Sequence, residues 1–430
     1  MAAKVCRRLL IFLFLVALLV VTPNVLIMGL AKTAKANSPL ALTAKTLDRN
    51  LDPVILTGAS VPAFDGVPVD QVYVYALITD TWRQLPMQVD EVTASGAYTT
   101  TEDGRLDAND EIVFMAKDLG DQSPADPRSI PGFPRVAIFY EITVTDPLSP
   151  THAAWAYLMY SSALTPTFST DYVRWDAFHH RVHTANYQLG YATPQPWMDY
   201  LTLGNSTLNI LDRAPKSRLC YGKLCLWTEN NAPELPDDLI KDGPVRLIVR
   251  GGRLLAYAAM GRWTINIPTI LGANNLRYTT DFNAFSSGST LYNSVVPDGV
   301  TVDGITDTVP AAPLSPWWQL STNHGTIVQA SDTTAIGGTQ TNYYRDNSQT
   351  DRFDTGDKKS YGEIGVHVAS PNKSFTYSFA LYFLSGRQPN VGATYQLYFE
   401  HPLTTSAMLR LLPLPEKVYV PLLIRQAARN

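Results

Sequence analysis

Gln71-Val-Tyr-Val-Tyr-Ala-Leu-Ile-Thr79 is a run of β-branched and aromatic residues with the short alternation of a strand rather than the stripe of an amphipathic helix. The same pattern returns in Glu111-Ile-Val-Phe-Met115, in residues 135–145 and in Ala154-Trp-Ala-Tyr-Leu-Met-Tyr160. Turn-rich clusters such as Asp121-Gln-Ser-Pro-Ala-Asp-Pro127 separate these runs. Further along, strand patterns occupy residues 244–250, 254–259, 363–368, 375–384 and 394–399, and modest helical patterns occur only at 237–241 and 404–412. These runs predict a mainly β protein of antiparallel β-sandwich domains with few helices.

Composition agrees. The 430 residues are 45% hydrophobic and 17% charged, with 30 Pro, 26 Gly, 15 Phe, 22 Tyr and 8 Trp. That apolar share offsets the entropy of ordering, so a globular, loop-rich chain is expected and extended disorder is excluded. The strand spacing divides it into an N-terminal β domain (51–165) and a larger sandwich-like domain (166–411). A flexible lead-in (37–50) precedes them and a tail (412–430) follows.

The N-terminus carries Lys4, Arg7 and Arg8, then an apolar stretch from Leu9 to Leu30 broken by Pro23-Asn24, then Ala34-Lys35-Ala36. This reads as an export signal cleaved after Ala36, with an uncleaved membrane anchor as the alternative. Of the 34 basic residues 5 lie within 1–36, and none of the 38 acidic ones does, so the mature chain is about −9. No basic patch or phosphate-cradling motif stands out, which argues against nucleic acid and nucleotide cofactors. In an oxidising compartment Cys220-Tyr-Gly-Lys-Leu-Cys225 reads as a local disulfide, with two free thiols as the alternative. The tail contains Val418-Tyr-Val-Pro-Leu-Leu-Ile-Arg425, too short to span a bilayer; it reads either as a surface-sorting segment or as a final strand.

Gly-x-Ser-x-Gly and His-Glu-x-x-His are absent, so the sequence shows no esterase or zinc-protease signature and leaves open whether there is a reaction. Four stretches remain as candidate sites. In the first, Asp103-Gly-Arg-Leu-Asp-Ala-Asn-Asp-Glu111 echoes the second half of an oxygen-ligand calcium loop, with Asp103, Asp107, Asp110 and Glu111 as ligands. The competing reading is a polar hairpin whose carboxylates accept backbone N–H groups. In the second, Asp242-Gly-Pro-Val-Arg246 opens a strand that sets Arg246 and Arg250 on one face. Two guanidiniums there suit a carboxylate of an acidic sugar, or structural pairing with nearby acids.

The third stretch runs from Trp317 to Asp357. Trp317, Trp318 and Asp357 offer aromatic and polar groups of the kind sugars use, and burial of the Trp pair as core is the alternative. The fourth, His179-His-Arg-Val-His183, has two histidines at metal-pair spacing, but its surroundings read as strand or loop.

Gln88-Val-Asp90 with the acidic loop, and then Asp242 to Arg246, resemble segments of uncharacterised exported bacterial proteins. Some of those are similar to the galactose-mutarotase-like supersandwich group, which includes polysaccharide lyases. The likeness covers two patches within residues 70–250 and maps no catalytic set. It implies a β-sandwich architecture, an exported location and a carbohydrate-related role. A lyase would use Arg246 to neutralise a uronate and Tyr343, Tyr344 or His324 to move the adjacent proton. The leading expectation is thus an exported protein that binds or processes carbohydrate. The alternative is a non-catalytic surface or envelope protein, including a calcium-dependent adhesion module.

Overall fold

A computed structural model describes residues 43–101, 103–123, 130, 138–191, 198–209, 217–221, 224–227, 239–251, 256–258, 261–263, 267–283, 289–297, 317–321, 324–345 and 363–411. Over these residues the chain is mainly β, with antiparallel sheets and one α-helix, Gly392–Glu400.

The strand Val72–Ile78 shows why. Val72, Val74 and Ala76 face one way into an aliphatic core, while Tyr73 and Tyr75 face the other into an aromatic one with Trp155, Tyr157 and Met159. This two-residue period buries both faces of the strand. It lies in a five-stranded sheet, in the order Thr404–Leu411, Ile138–Asp146, Ser149–Tyr160, Val72–Ile78 and Thr81–Gln84.

Across the aliphatic core stands a three-stranded sheet of Pro53–Thr57, Glu111–Met115 and Met87–Asp90. Its Val54, Leu56, Ile112 and Phe114 pack on Ile142, Val144 and Leu158 of the first sheet. Each such side chain contributes about 1.5–3 kcal/mol on full burial. The same period turns Val113 and Met115 to the opposite face, against Val245 and Ala273. The three-stranded sheet is therefore a middle layer, covered on both sides.

Val245 and Ala273 belong to the borders of a seven-stranded sheet. Its order is Leu239–Asp242, Arg246–Gly251, Ile267–Gly272, Asn275–Asn283, Ser374–Ser385, Gly325–Asp332 and Trp317–Ser321. A four-stranded sheet spanning Arg174–Asp176 to Met198–Leu203 packs on it, with the Tyr187 ring 4.4 Å from Phe383 and its hydroxyl donating to the Gly272 carbonyl at 2.9 Å.

Three stretches differ from expectation. Residues 394–399, which read as a strand, lie in the helix Gly392–Glu400. The helix start is supplied from outside, because Gln319 Oε1 accepts the Val391 and Gly392 N–H groups, each at 2.8 Å. Tyr395 and Phe399 then fall on one face, i and i+4, against Val328, Ala330 and Tyr382. Residues 404–412 read as a helix, yet Thr404–Leu411 is a strand paired along its length with Ile138–Asp146. Residues 237–241 also read as a helix; the part described, Leu239–Asp242, is a strand. In both cases pairing with a ready sheet edge outweighs a weak local helical pattern.

The export segment, the tail 412–430 and Asp357 lie outside the described residues, as do the side chains of Arg250, Trp318, Tyr343, Tyr344, Cys220 and Cys225. By backbone register, Cys220 and Cys225 are opposite partners in an antiparallel pair.

Candidate functional site

The two sequence patches that stand about 150 residues apart meet in space. Gln88, 5% exposed, behaves like an extra length of strand. Its Oε1 accepts the Val245 and Arg246 N–H groups, both at 3.0 Å, and its Nε2 donates to the Arg246 carbonyl at 3.1 Å and to Asp90 Oδ1 at 2.7 Å. Gly243 gives Gln88 this room, because a Cβ at that position would lie 2.2 Å from Gln88 Oε1 and displace it.

Arg246 is 2% exposed and sits inside this joint. Its Nε donates to Asp90 Oδ2 at 2.7 Å and its Nη2 to Glu111 Oε2. Tyr98 completes the cluster, donating its hydroxyl to Glu111 Oε2 at 2.9 Å and accepting from Arg246 Nη2 at 3.4 Å. Burial alone would lower the Arg246 pKa, but Asp90, Tyr98 and Glu111 outweigh it and hold the guanidinium firmly charged. Burial pushes the Tyr98 phenol well above its ordinary value, against the pull of Arg246. The structure thus brings together one candidate for calcium, Glu111, and one for a ligand carboxylate, Arg246, and pairs them with each other.

The rest of the acidic loop is turned inward on its own backbone. Glu91 accepts the Asp103 and Gly104 N–H groups, each at 2.9 Å. Asp110 accepts those of Val92 at 3.0 Å and Asp107 at 2.6 Å. Asp103 accepts the Arg105 N–H at 2.8 Å, closing a turn in which Gly104 takes a φ of +76°. The Asp107 side chain is exposed. Among the described residues, no three His, Cys, Asp or Glu side chains gather as a metal-binding group. Glu91, directly after Asp90, is the carboxylate that sequence reasoning passed over.

The other candidates are dispersed. Trp317 lies over the start of the helix, where a Cβ on Gly392 would come 2.1 Å from its ring. His324 Nδ1 is 3.2 Å from the Ser206 hydroxyl. His179 and His183 flank Asp176, which sequence reading overlooked; His179 Nδ1 is 2.7 Å and His183 Nε2 3.8 Å from Asp176 Oδ2. That contact, with the two backbone N–H groups it also accepts, holds the Asp176 carboxyl at about 2.

Beside the Arg246 joint is a cavity of about 550 Å³, between the middle layer and the seven-stranded sheet. Its size fits a small-molecule site. Tyr98 and Met115 come from the N-terminal side, Asn275, Arg277 and Tyr278 from the strand Asn275–Asn283, Ser378 and Phe379 from its neighbour, and Phe399 from the helix. Tyr278 and Phe379 meet edge to face, with centroids 3.9 Å apart. These two rings share the sheet face opposite to Asn275, Arg277, Thr279 and Ser378, so on the cavity side it is the Phe399 ring of the helix that stands beside the hydroxyl, amide and guanidinium groups. None of these residues belongs to a motif, because they are gathered from separate strands and a helix.

No family model matches the chain, and no curated protein matches it. Among solved structures it is similar to an alpha-mannosidase from Enterococcus faecalis, at 10% identity and a TM-score of 0.43. The match covers 85% of this chain and 45% of that one, so the chain spans less than half the length of the mannosidase it matches.

Proposed function

We propose that this is an exported protein that binds carbohydrate in the cavity beside the Arg246 joint. The observation that carries the reading is the cavity's chemistry. Phe399 and Tyr98 offer apolar rings for the C–H face of a sugar, and Asn275, Thr279 and Ser378, which share one face of their paired strands, offer hydrogen-bonding groups for its rim. Export is supported by the basic, apolar and small-residue pattern of residues 1–36.

Binding fits this cavity better than bond cleavage. Its described lining includes no Asp, Glu or His, the groups a glycosidase uses as acid and base. Its one buried phenol beside an arginine, Tyr98, is held protonated and donates to Glu111, the opposite of what a base abstracting a proton needs. The test is calorimetric titration of the chain beginning at Asn37 against a glycan panel, with mass spectrometry for released products. Saturable binding without products supports the reading, and absence of binding to every glycan removes it.

A second reading, attachment to the cell envelope, is favoured by one observation. The sheet-edge strand Thr404–Leu411 exposes Met408, Leu409 and Leu411 shortly before the apolar run 418–425 in the sequence. Deletion of residues 412–430 should release the protein from cells if the tail anchors it. Unchanged location removes that role.

A further inference from the structure

Among the described residues, Arg49 and Arg246 are buried and paired with carboxylates, and Arg277 is half-buried. Arg246 holds Asp90 and Glu111. Arg49 is bonded to Asp52 through Nε at 2.6 Å and to Asp146 at 3.2 Å, and it donates to the carbonyls of His401 and Tyr398. Both arginines clamp the N-terminal sheets to later parts of the chain, and carboxylates of the fold match their charge.

Arg277 differs. It stands on the strand Asn275–Asn283, between Ile270 of one neighbour and Ala380 of the other, and it lines the cavity. Its Nη2 donates to the Tyr382 hydroxyl at 2.7 Å, and its Nε is buried with no hydrogen-bond partner. Among the described residues no carboxylate lies within ion-pair distance of it. Asp52 feels its charge through space, but Asp52 is paired through Oδ2 with Arg49. A guanidinium has five N–H donors in a rigid fork that matches the two oxygens of a carboxylate. Leaving such donors buried and unmatched costs stability, and a native fold recovers that cost when a ligand supplies the acceptor.

We infer that the cavity selects a sugar bearing a carboxylate, of the uronic acid class, and that Arg277 is the residue that recognises it. The inference rests on the carbohydrate-binding reading and narrows it. Arg277 is a specificity-determining residue here, while the aromatic rings supply affinity that acidic and neutral sugars share.

The test compares uronate trisaccharides (galacturonate, mannuronate and glucuronate types) with their methyl esters, which keep the ring and remove the charge. For wild-type protein, at least one acid should bind roughly ten-fold or more tightly than its ester, with the difference shrinking as salt is raised. In Arg277→Gln the acid should fall to the affinity of the ester, with the ester little changed. Arg277→Lys should recover only part of the preference, because an ammonium lacks the fork. Equal wild-type binding of acid and ester would overturn the inference while leaving carbohydrate binding intact, and so would an equal loss of both in Arg277→Gln. Failure of every acidic and neutral sugar to bind would remove both. The wild-type comparison of acid with ester stands even if a variant fails to fold.

Discussion

Replacing Arg246 by Met keeps much of the side-chain volume and removes the charge. Asp90 is then left with its side chain 1% exposed and its Oδ2 without the guanidinium that sits 2.7 Å away. Breaking a buried ion pair from one side costs about 3–5 kcal/mol, because the surviving charge is neither solvated nor paired. Two features place the cost toward the lower part of that range. The Glu111 side chain is 23% exposed and regains water, and Asp90 keeps its bond from Gln88 Nε2. About 3 kcal/mol is a large share of a domain's net stability. Adding Asp90→Asn in the same chain removes the stranded charge, so the double variant should recover part of the loss. The assay is urea denaturation followed by tryptophan fluorescence, comparing midpoints at constant slope. A loss below about 1 kcal/mol for Arg246→Met, or a double variant no better than the sum of the singles, would refute the idea that this arginine is a buried structural clamp.

Three further outcomes are expected. Gly243→Ala should destabilise the same joint by about 1–3 kcal/mol, since its Cβ would meet Gln88 Oε1 at 2.2 Å; an unchanged denaturation midpoint would show that Gln88 swings aside freely. The Asp176 carboxyl should titrate near 2 by carbon NMR and return toward 3.8 in His179→Ala. Because its folded value is depressed, its contribution to stability is present above the ordinary value and lost as pH falls through about 2; titration at an ordinary value in wild type would contradict the contact with His179. The melting temperature should be indifferent to calcium and to chelator, because the oxygens of Glu91 and Asp110 are occupied by backbone N–H groups. A rise with calcium would mean those oxygens turn outward around a cation.

Strands such as Val72–Ile78 were legible because burial on a sheet imposes its period directly on the residue types. The helix Gly392–Glu400 was not, because its first N–H groups are satisfied by Gln319, more than 70 positions earlier, rather than by a local cap. Gln88-Val-Asp90 and Asp242 to Arg246 could be singled out as patches, yet nothing in either told that Gln88 would bond the backbone of Val245. For Arg246 the pairing with acids was among the readings, whereas which acids, Asp90 and Glu111, is a matter of layer packing. Asn275, Arg277, Thr279 and Ser378 left no trace as site residues, since a cavity assembled from neighbouring strands has no sequence spacing.

The most direct measurement is equilibrium binding of the glycan panel to wild-type protein, to Phe399→Ala in the cavity wall and to Phe178→Ala, a control at an 88% exposed position. Wild type and Phe178→Ala should bind at least one glycan alike, and Phe399→Ala should bind it about ten-fold more weakly, the loss of one stacking ring. Equal binding by all three proteins, or binding by none, would contradict a sugar site in this cavity.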